Sequence, residues 1–345
     1  MTHNEINPLT DPRWGILVER HPLSSVFHTP QWLEALRRTY GYLPIVLTRN
    51  NEDEPLTSGL AICQMDSWLT GLRYVSLPFS DHCEPLLHDA EDIHMLLAGL
   101  REKAGTRAKY TEVRACYSEL FEPAGFHLNA EHCLHLLSLR PAINELFLGL
   151  HKDSIQRKIR RADREHVERE QGRSELLLQE FYKLLLMTRR RHGIPPQPLQ
   201  WFRNLIDCFG PSLTIRVARV NGRAIASILT LKHRTTLVYK YGCSDASFHQ
   251  MGGMPCLFWE AIQEAKAEEM LELDLGRSEF SNSGLIRFKD HLGATRKALQ
   301  YWRSSRRHSG RVISGLNTNF AGKVLSHLPD PLFRLAGELF YRHAG

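Results

Sequence analysis

No run of apolar residues in this chain approaches the roughly 20 needed to cross a bilayer as a helix, and the first residues lack the basic, apolar and small-residue order of a signal peptide. A cytoplasmic location is the expectation that follows. The seven cysteines are scattered, odd in number and never spaced as Cys-x-x-Cys, so neither a zinc site nor a disulfide framework is indicated and reduced thiols, mostly buried, are expected. The 18 histidines form no His-Glu-x-x-His and no paired-carboxylate motif accompanies them, which argues against metal catalysis. A Gly-x-Ser-x-Gly elbow and a P-loop are missing too, which removes serine hydrolases and nucleotide hydrolases built on them. Without a helix-turn-helix, zinc-finger or RNP aromatic pattern, DNA is not an expected partner.

What is present is 345 residues, 42% hydrophobic and 24% charged, a globular composition with enough chain for two ordinary domains. The net charge of +6 is uneven, with Arg and Lys gathered at 157–164, 189–191 and 303–311. Anionic partners are therefore expected, among them nucleic acid, phosphorylated carriers, the pyrophosphate of a nucleotide or acyl-CoA, or an anionic membrane face, and charge alone does not choose among them.

Two halves show the same order of elements. In the first, PQWLEALRRTY reads as a helix; PIVLTRN, LTSGLAICQM and RYVSLP as strands; IHMLLAGLREKA as a helix; YTEVRAC and CLHLLSL as strands. In the second, LLLQEFYKLLLMTRRR and LQWFRNLIDCF are helices, and LTIRVARV and RAIASILTLK are strands joined by the hairpin signal Asn221-Gly222. TLVYKYGC, a helix from MPCLFWEAIQEAKAEE, LELDLG, the helix GLIRFKDHLG and ALQYW complete it. Antiparallel strands followed by a helix, another strand, a helix and a last strand make an α+β arrangement with a mixed sheet, here twice over.

The segment Leu271–Trp302 carries the densest chemistry. Leu271, Leu273 and Leu275 alternate as a half-buried strand, Gly276 breaks it, and a polar loop holds Arg277 and Ser278. In the helix that follows, Leu285, Phe288 and Leu292 line one face and Lys289 lies beside it, either leaning into a cleft or snorkelling at the surface.

DLGRS, a small polar loop and GLIRFKDHLGA resemble the C-terminal motif of FemAB-like transferases of the GNAT acyltransferase superfamily. SIQRKIRRADRE is similar to the basic helix that opens the second half of that group, and VSLPFSDHCEPLL to its Pro-Phe segment. The tail NTNFAGKVLSHLPDPLFRLAGELFYRHAG resembles the ending of FemAB-related proteins associated with exopolysaccharide and PEP-CTERM systems. The resemblance implies an α+β fold of two tandem GNAT-like domains with mixed sheets, at 1–150 and 151–303, and an amphipathic helical tail at 304–345. It further implies acyl or aminoacyl transfer by direct attack of an amine on an activated donor. Acyl-CoA is the favoured donor and aminoacyl-tRNA the alternative; the acceptor would be a small-molecule or saccharide unit of a cell-envelope or exopolysaccharide pathway. A non-catalytic binding protein on the same fold is the rival reading.

Resemblance makes Lys289 the candidate to stabilise an oxyanion, with Phe288 packing on donor or acceptor and Arg277 and Ser278 orienting the loop. Tyr239 and Tyr241 share a strand face by period-two spacing, and a phenol there could protonate a leaving group. Ahead of the helix beginning near Pro255, Gln250, Gly252 and Gly253 stand where the family docks a pyrophosphate, although a Gly-Gly turn also serves as a plain hinge. Arg157 and Arg161, four apart on a basic helix read over 154–170 and capped by Asp153 or Ser154, could hold one phosphate between them, or the helix is simply a solvated face. Asp81 and His82, beside Cys83 and Glu84, are expected in a substrate-contacting loop. The tail reads as two short amphipathic helices that either pack on the second domain or touch an anionic inner membrane.

Overall fold

Side-chain caps set where the first helices begin. Asp11 accepts from the Arg13 amide and opens α1 (Pro12–Arg20); Thr29 accepts from the Trp32 amide and opens α2 (Pro30–Tyr40). Both carry proline in the first turn, where its missing N–H leaves no bond unmade. The computed structural model describes residues 3–116, 121–305, 325 and 327–344. Its chain clusters into two compact units.

The first unit takes the chain up to Cys133, the residues from Ala298 and the end from Tyr341. Strands β1 (Asn4–Ile6), β2 (Leu43–Thr48), β3 (Leu60–Met65) and β4 (Arg73–Val75) pair antiparallel in sequence order. Helix α3 (Asp92–Ala104) then crosses over so that β5 (Tyr110–Ala115) lies parallel to β4. Its core gathers Leu96, Leu97 and Leu100 of α3 over Leu47, Ile62 and Val113.

Strand β6 (His127–Ser138) leads from one unit to the other, dividing at Cys133/Leu134, against an expected junction at 150/151. After α4 (Ile143–Gly149) the basic segment departs from one continuous helix. A π-turn over Lys152–Gln156, capped by the His151 imidazole in place of Asp153 or Ser154, runs into α5 (Arg157–Arg164). His166 turns the chain at φ 51, and Glu168–Gly172 is strand β7, paired antiparallel with β8. Register explains the exchange, because β8 (Leu213–Val220) offers an open edge to any extended segment beside it.

Helices α6 (Glu175–Arg191) and α7 (Leu199–Phe209) precede the antiparallel run β8, β9 (Arg223–His233) and β10 (Thr236–Ser244). Helix α8 (Gly253–Ala267) crosses over to β11 (Glu272–Ser278), which lies parallel to β10. The second unit thus repeats the first: an antiparallel meander, one crossover helix and a parallel strand. Then follow α9 (Ser283–His291), β12 (Thr295–Ser304), whose end pairs antiparallel with β5 in the first unit, and α10 (Asp330–Ala344). Of the two tail helices expected, α10 is one; the segment around Phe320 lies outside the described residues. No helix among the described residues is long and apolar enough to cross a membrane.

Candidate active site

Two parallel strands in the second unit part company. Pairing of β10 with β11 runs Thr236–Glu272, Leu237–Leu273 and Val238–Asp274 and goes no further, although both strands continue. A β-bulge causes the break on β10: Tyr239 pairs with Thr230 and Tyr241 with Leu229, which leaves Lys240 as the extra residue. On β11 the groups past Asp274 turn to side chains. The Gly276 amide donates to Asp274 Oδ1 at 2.7 Å, and the carbonyls of Gly276 and Arg277 each accept from Lys289 Nζ at 2.9 Å. Gly276 sits at φ 71, a conformation that the absence of a Cβ makes accessible. A gap at the carboxyl ends of parallel strands is where open α/β sheets place their ligands.

The bulge also overturns the shared face of the two tyrosines. One extra residue flips the alternation, so Tyr239 packs on Phe258 of α8 with ring centroids 4.7 Å apart, while Tyr241 turns the other way. Tyr241 is buried, its ring against Phe202 and its hydroxyl accepting from Trp201 Nε1 at 2.8 Å. That is a core tyrosine. Tyr239 stays half-buried, and Gly242 makes room for it: a Cβ there would meet the phenol oxygen at 2.1 Å. Phe288 extends the row, 5.5 Å from Phe258.

Lys289 lies on the buried line of α9 with Ile286, far from solvent at 2% exposure. Its ammonium therefore braces the β11 turn, and it brings a positive charge to the head of the gap. Arg277 is half-buried there, and Ser278 is buried with its hydroxyl lacking a hydrogen-bond partner among the described residues. A buried hydroxyl left open at a strand end suits a ligand group. Sequence reasoning named the loop after Asp274 without giving that carboxylate a task, though Asp two residues before a glycine is a recognisable turn signal.

Behind α9, His151 and His291 stack at 4.0 Å, and Ser154 Oγ lies 2.9 Å from one Nδ1 and 2.7 Å from the other. Burial first, then the neighbouring His151 and Arg287, hold the His291 imidazole below its ordinary value. No sequence pattern announced this cluster, since its partners are 137 residues apart.

The remaining candidates fall elsewhere. Gly252, at φ 78, is turned to α5: a Cβ on it would stand 2.2 Å from the Lys158 carbonyl oxygen. Gly253 packs on Ala226 and Ile225, and exposed Gln250 folds back to the Ser247 carbonyl at 2.9 Å. Gly252 thus serves close packing of α8 on α5, and Gly253 that of α8 on β9. Arg157 and Arg161 pair with Asp153 and Glu165 on their own segment, at 3.8 and 3.6 Å. Asp81 and His82 belong to the first unit, where the Asp81 carbonyl accepts from Tyr301 and His82 meets Phe27 edge-on. Their loop is held by Arg114, which donates to the carbonyls of Leu77 (φ 39) and Ser80. Burial pushes the Cys83 thiol well up from its ordinary value, and its sulfur lies 3.3 Å from His28 Nε2, which also faces the Glu84 carbonyl while Nδ1 accepts from the Ser25 amide. Among the described residues no cluster of three or more His, Cys, Asp or Glu could hold a metal ion.

The model of the GNAT acetyltransferase domain matches residues 151–290, from the π-turn to α9. Over 98 residues the chain is 31% identical to the UDP-N-acetylmuramoylpentapeptide-lysine N(6)-alanyltransferase of Weissella viridescens, a match spanning 28% of this chain and 29% of that relative. Among solved structures, FemX superposes with a TM-score of 0.69 at 12% identity, covering 88% of this chain and 97% of that one. A tandem GNAT protein from the clavulanic acid biosynthesis pathway gives 0.54 at 10% identity, covering 90% and 99%. At those identities the superpositions speak for the fold alone, a mixed-sheet fold with GNAT-like neighbours, as the motifs around DLGRS imply. The matched residues thus contain the strand parting, the bulge and Lys289.

Proposed function

We propose that the chain is a transferase that moves an acyl or aminoacyl group from an activated donor to an amine, in the gap between β10 and β11. The observation that carries this reading is the parting itself, with Tyr239 on one lip, Ser278 and Arg277 on the other, and a buried ammonium bracing the turn. The amine attacks the donor carbonyl, a C–N bond forms, and the tetrahedral intermediate collapses with loss of the donor's alcohol or thiol. One proton leaves the amine and one joins the leaving group. Holding both reactants in one gap supplies the proximity that direct attack needs. Lys289 acts chiefly as a positioning residue, fixing the carbonyls of Gly276 and Arg277, while its charge favours a developing oxyanion nearby. Tyr239 takes the proton-donating role first weighed for either tyrosine, because the bulge leaves Tyr241 in the core. Phe288 packs behind it.

The donor reading shifts toward an aminoacyl ester. The curated relative is an alanyltransferase. The acceptor we favour is an amine on a cell-envelope or exopolysaccharide precursor, since the relative's acceptor is a lysine N6 on a UDP-linked peptide and the tail resembles exopolysaccharide-associated proteins. A mass-spectrometric transfer assay would offer alanyl-tRNA or acetyl-CoA with UDP-N-acetylmuramoyl-pentapeptide or a UDP-amino sugar. Product from alanyl-tRNA is expected; product from acetyl-CoA alone would reverse the donor assignment, and silence with every pair would remove the reading. Tyr239→Phe should lower kcat by about 10²-fold, the low end of what a general acid contributes. Tyr241→Phe should leave it within a few-fold.

A further inference from the structure

The second unit holds a titratable cluster that the transfer chemistry does not use. His151 caps the π-turn and His291 ends α9, and their backbones are tied, the His151 amide donating to the His291 carbonyl at 2.8 Å. The protons between the two rings can be counted. Ser154 brings two, one on its amide and one on Oγ. Its amide lies 3.3 Å from His151 Nδ1, so that nitrogen accepts and is bare. Both Nδ1 atoms face the one Oγ, His151 at 2.9 Å and His291 at 2.7 Å, and a hydroxyl proton serves only one of them. All three contacts become hydrogen bonds in a single arrangement: His291 Nδ1–H donates to Oγ, Oγ–H donates to His151 Nδ1, and the Ser154 amide donates to the same nitrogen. A first added proton goes to the bare Nε2 of His291 without breaking any of these bonds. A second must go to His151 Nδ1, where it displaces both donors and leaves two cationic rings stacked 4.0 Å apart.

We propose that His151, Ser154 and His291 form a proton-sensitive latch, which fastens the C-terminal end of α9 to the π-turn until acid charges both rings and then releases it. His151 is exposed and His291 half-buried, so solvent protons reach the pair. The charges around it do not hold it cationic. On α9, Arg287 opposes a charge on His291; Asp290 favours one but is committed to Arg296 of β12 and also stands 3.5 Å from His135 of β6. Beside His151 in the chain, Lys152 is a like charge and Asp153 pairs with Arg157 at 3.8 Å. A cap that needs a bare nitrogen is complete above the ordinary histidine range, near 6.5, and is lost as pH falls below it. What the latch fastens is the helix of Lys289, two residues before His291, whose ammonium holds the carbonyls of Gly276 and Arg277. Release therefore loosens that brace. The latch itself does not depend on the transfer reading, which enters only in the expectation that a loosened brace slows the reaction.

Hydrogen exchange of the full chain, corrected for its intrinsic pH dependence, reads the latch without turnover, so its failure and that of the transfer reading are separate results. As pH falls from about 7.5 to about 5, peptides covering 151–157 and 285–292 should lose protection together, by about fivefold more than β8 of the same unit. His151→Asn keeps a capping oxygen that does not titrate, and protection of 151–157 in that variant at the acid end should stay within about twofold of its value at the neutral end. Ser154→Ala removes the bridge and should show low protection in both segments at either pH. The proposal is overturned if both segments of the parent keep their protection into acid, if they lose it no more than β8 does, or if His151→Asn loses it as the parent does.

Discussion

Gly242 is the residue on which the site's geometry turns most narrowly. Its backbone is ordinary, so alanine costs nothing in conformation, yet the new methyl would stand 2.1 Å from the Tyr239 oxygen. A ring cannot yield like the end of a lysine; it must swing off Gly242 and away from its place beside Phe258. Gly242→Ala should therefore cost about 1–3 kcal/mol from overpacking and lower kcat alongside Tyr239→Phe. If turnover by Gly242→Ala matches the parent in the transfer assay, Tyr239 has no part in the chemistry. What sequence could see here was two tyrosines two apart. It could not see the bulge, because an extra residue in one strand is defined only by the register of its partner, and β9 pairs with β10 through residues remote in pattern from Lys240. Lys289 was legible as a residue of interest, but two carbonyls twelve and thirteen residues away gave it its task.

At the scale of elements, strongly periodic segments were read well. The helix PQWLEALRRTY is α2 to the residue, and the Asn221-Gly222 hairpin joins β8 to β9 with both turn residues at positive φ. Weakly patterned ones were not: β7, EREQG, has no apolar residue, and only the edge of β8 makes it a strand. The contact of α5 with α8 is another feature that only packing reveals, and comparing Gly252, which lies in it, with Gly222, which does not, isolates its effect. Gly222 has φ 71 and nothing within 4 Å of a Cβ, whereas Gly252 has φ 78 and the Lys158 carbonyl in the way. Gly222→Ala should cost about 1–2 kcal/mol, the price of a left-handed residue with a side chain. Gly252→Ala adds overpacking against backbone and should cost roughly 3–4 kcal/mol in all. Equal losses in denaturant melts would mean that α5 stands off from α8. Burial of ions makes the same element-level point: Arg216, fully buried in β8, is held by Thr230 and by Glu264 of α8. Glu264→Ala would strand that charge and should cost about 3–5 kcal/mol, far more than loss of an exposed pair such as Arg157–Asp153.

For the whole molecule, acid should act in two stages, first on histidines of the second unit and then on carboxylates of both units. His192, His249 and His291 all belong to the second unit, and each is held below its ordinary value of 6.5, by burial first and then by cationic neighbours that include Arg191 for the first two and His151 for the third. A histidine that resists protonation when folded gains its proton on unfolding, so stability falls as pH drops below about 6.5, and the fall stops once the folded imidazoles protonate as well. Carboxylates act lower. In the first unit Glu112 is buried, which raises its pKa, but Arg114 and Arg303 outweigh burial and hold it below 4.5; in the second, the hydrogen bond from Arg296 holds Asp290 below 3.8. Their contribution is complete above the ordinary carboxylate range and is lost as pH falls through the lowered folded values. Hydrogen exchange, corrected for its intrinsic pH dependence, should show protection in β9, β10 and α8 weakening as pH falls below about 6.5, while β3 and β5 hold until the carboxylate range is reached. Glu112→Gln should remove part of that last step in the first unit alone. Protection that declines in both units together from neutral pH would mean that the histidines are not what the acid reaches first.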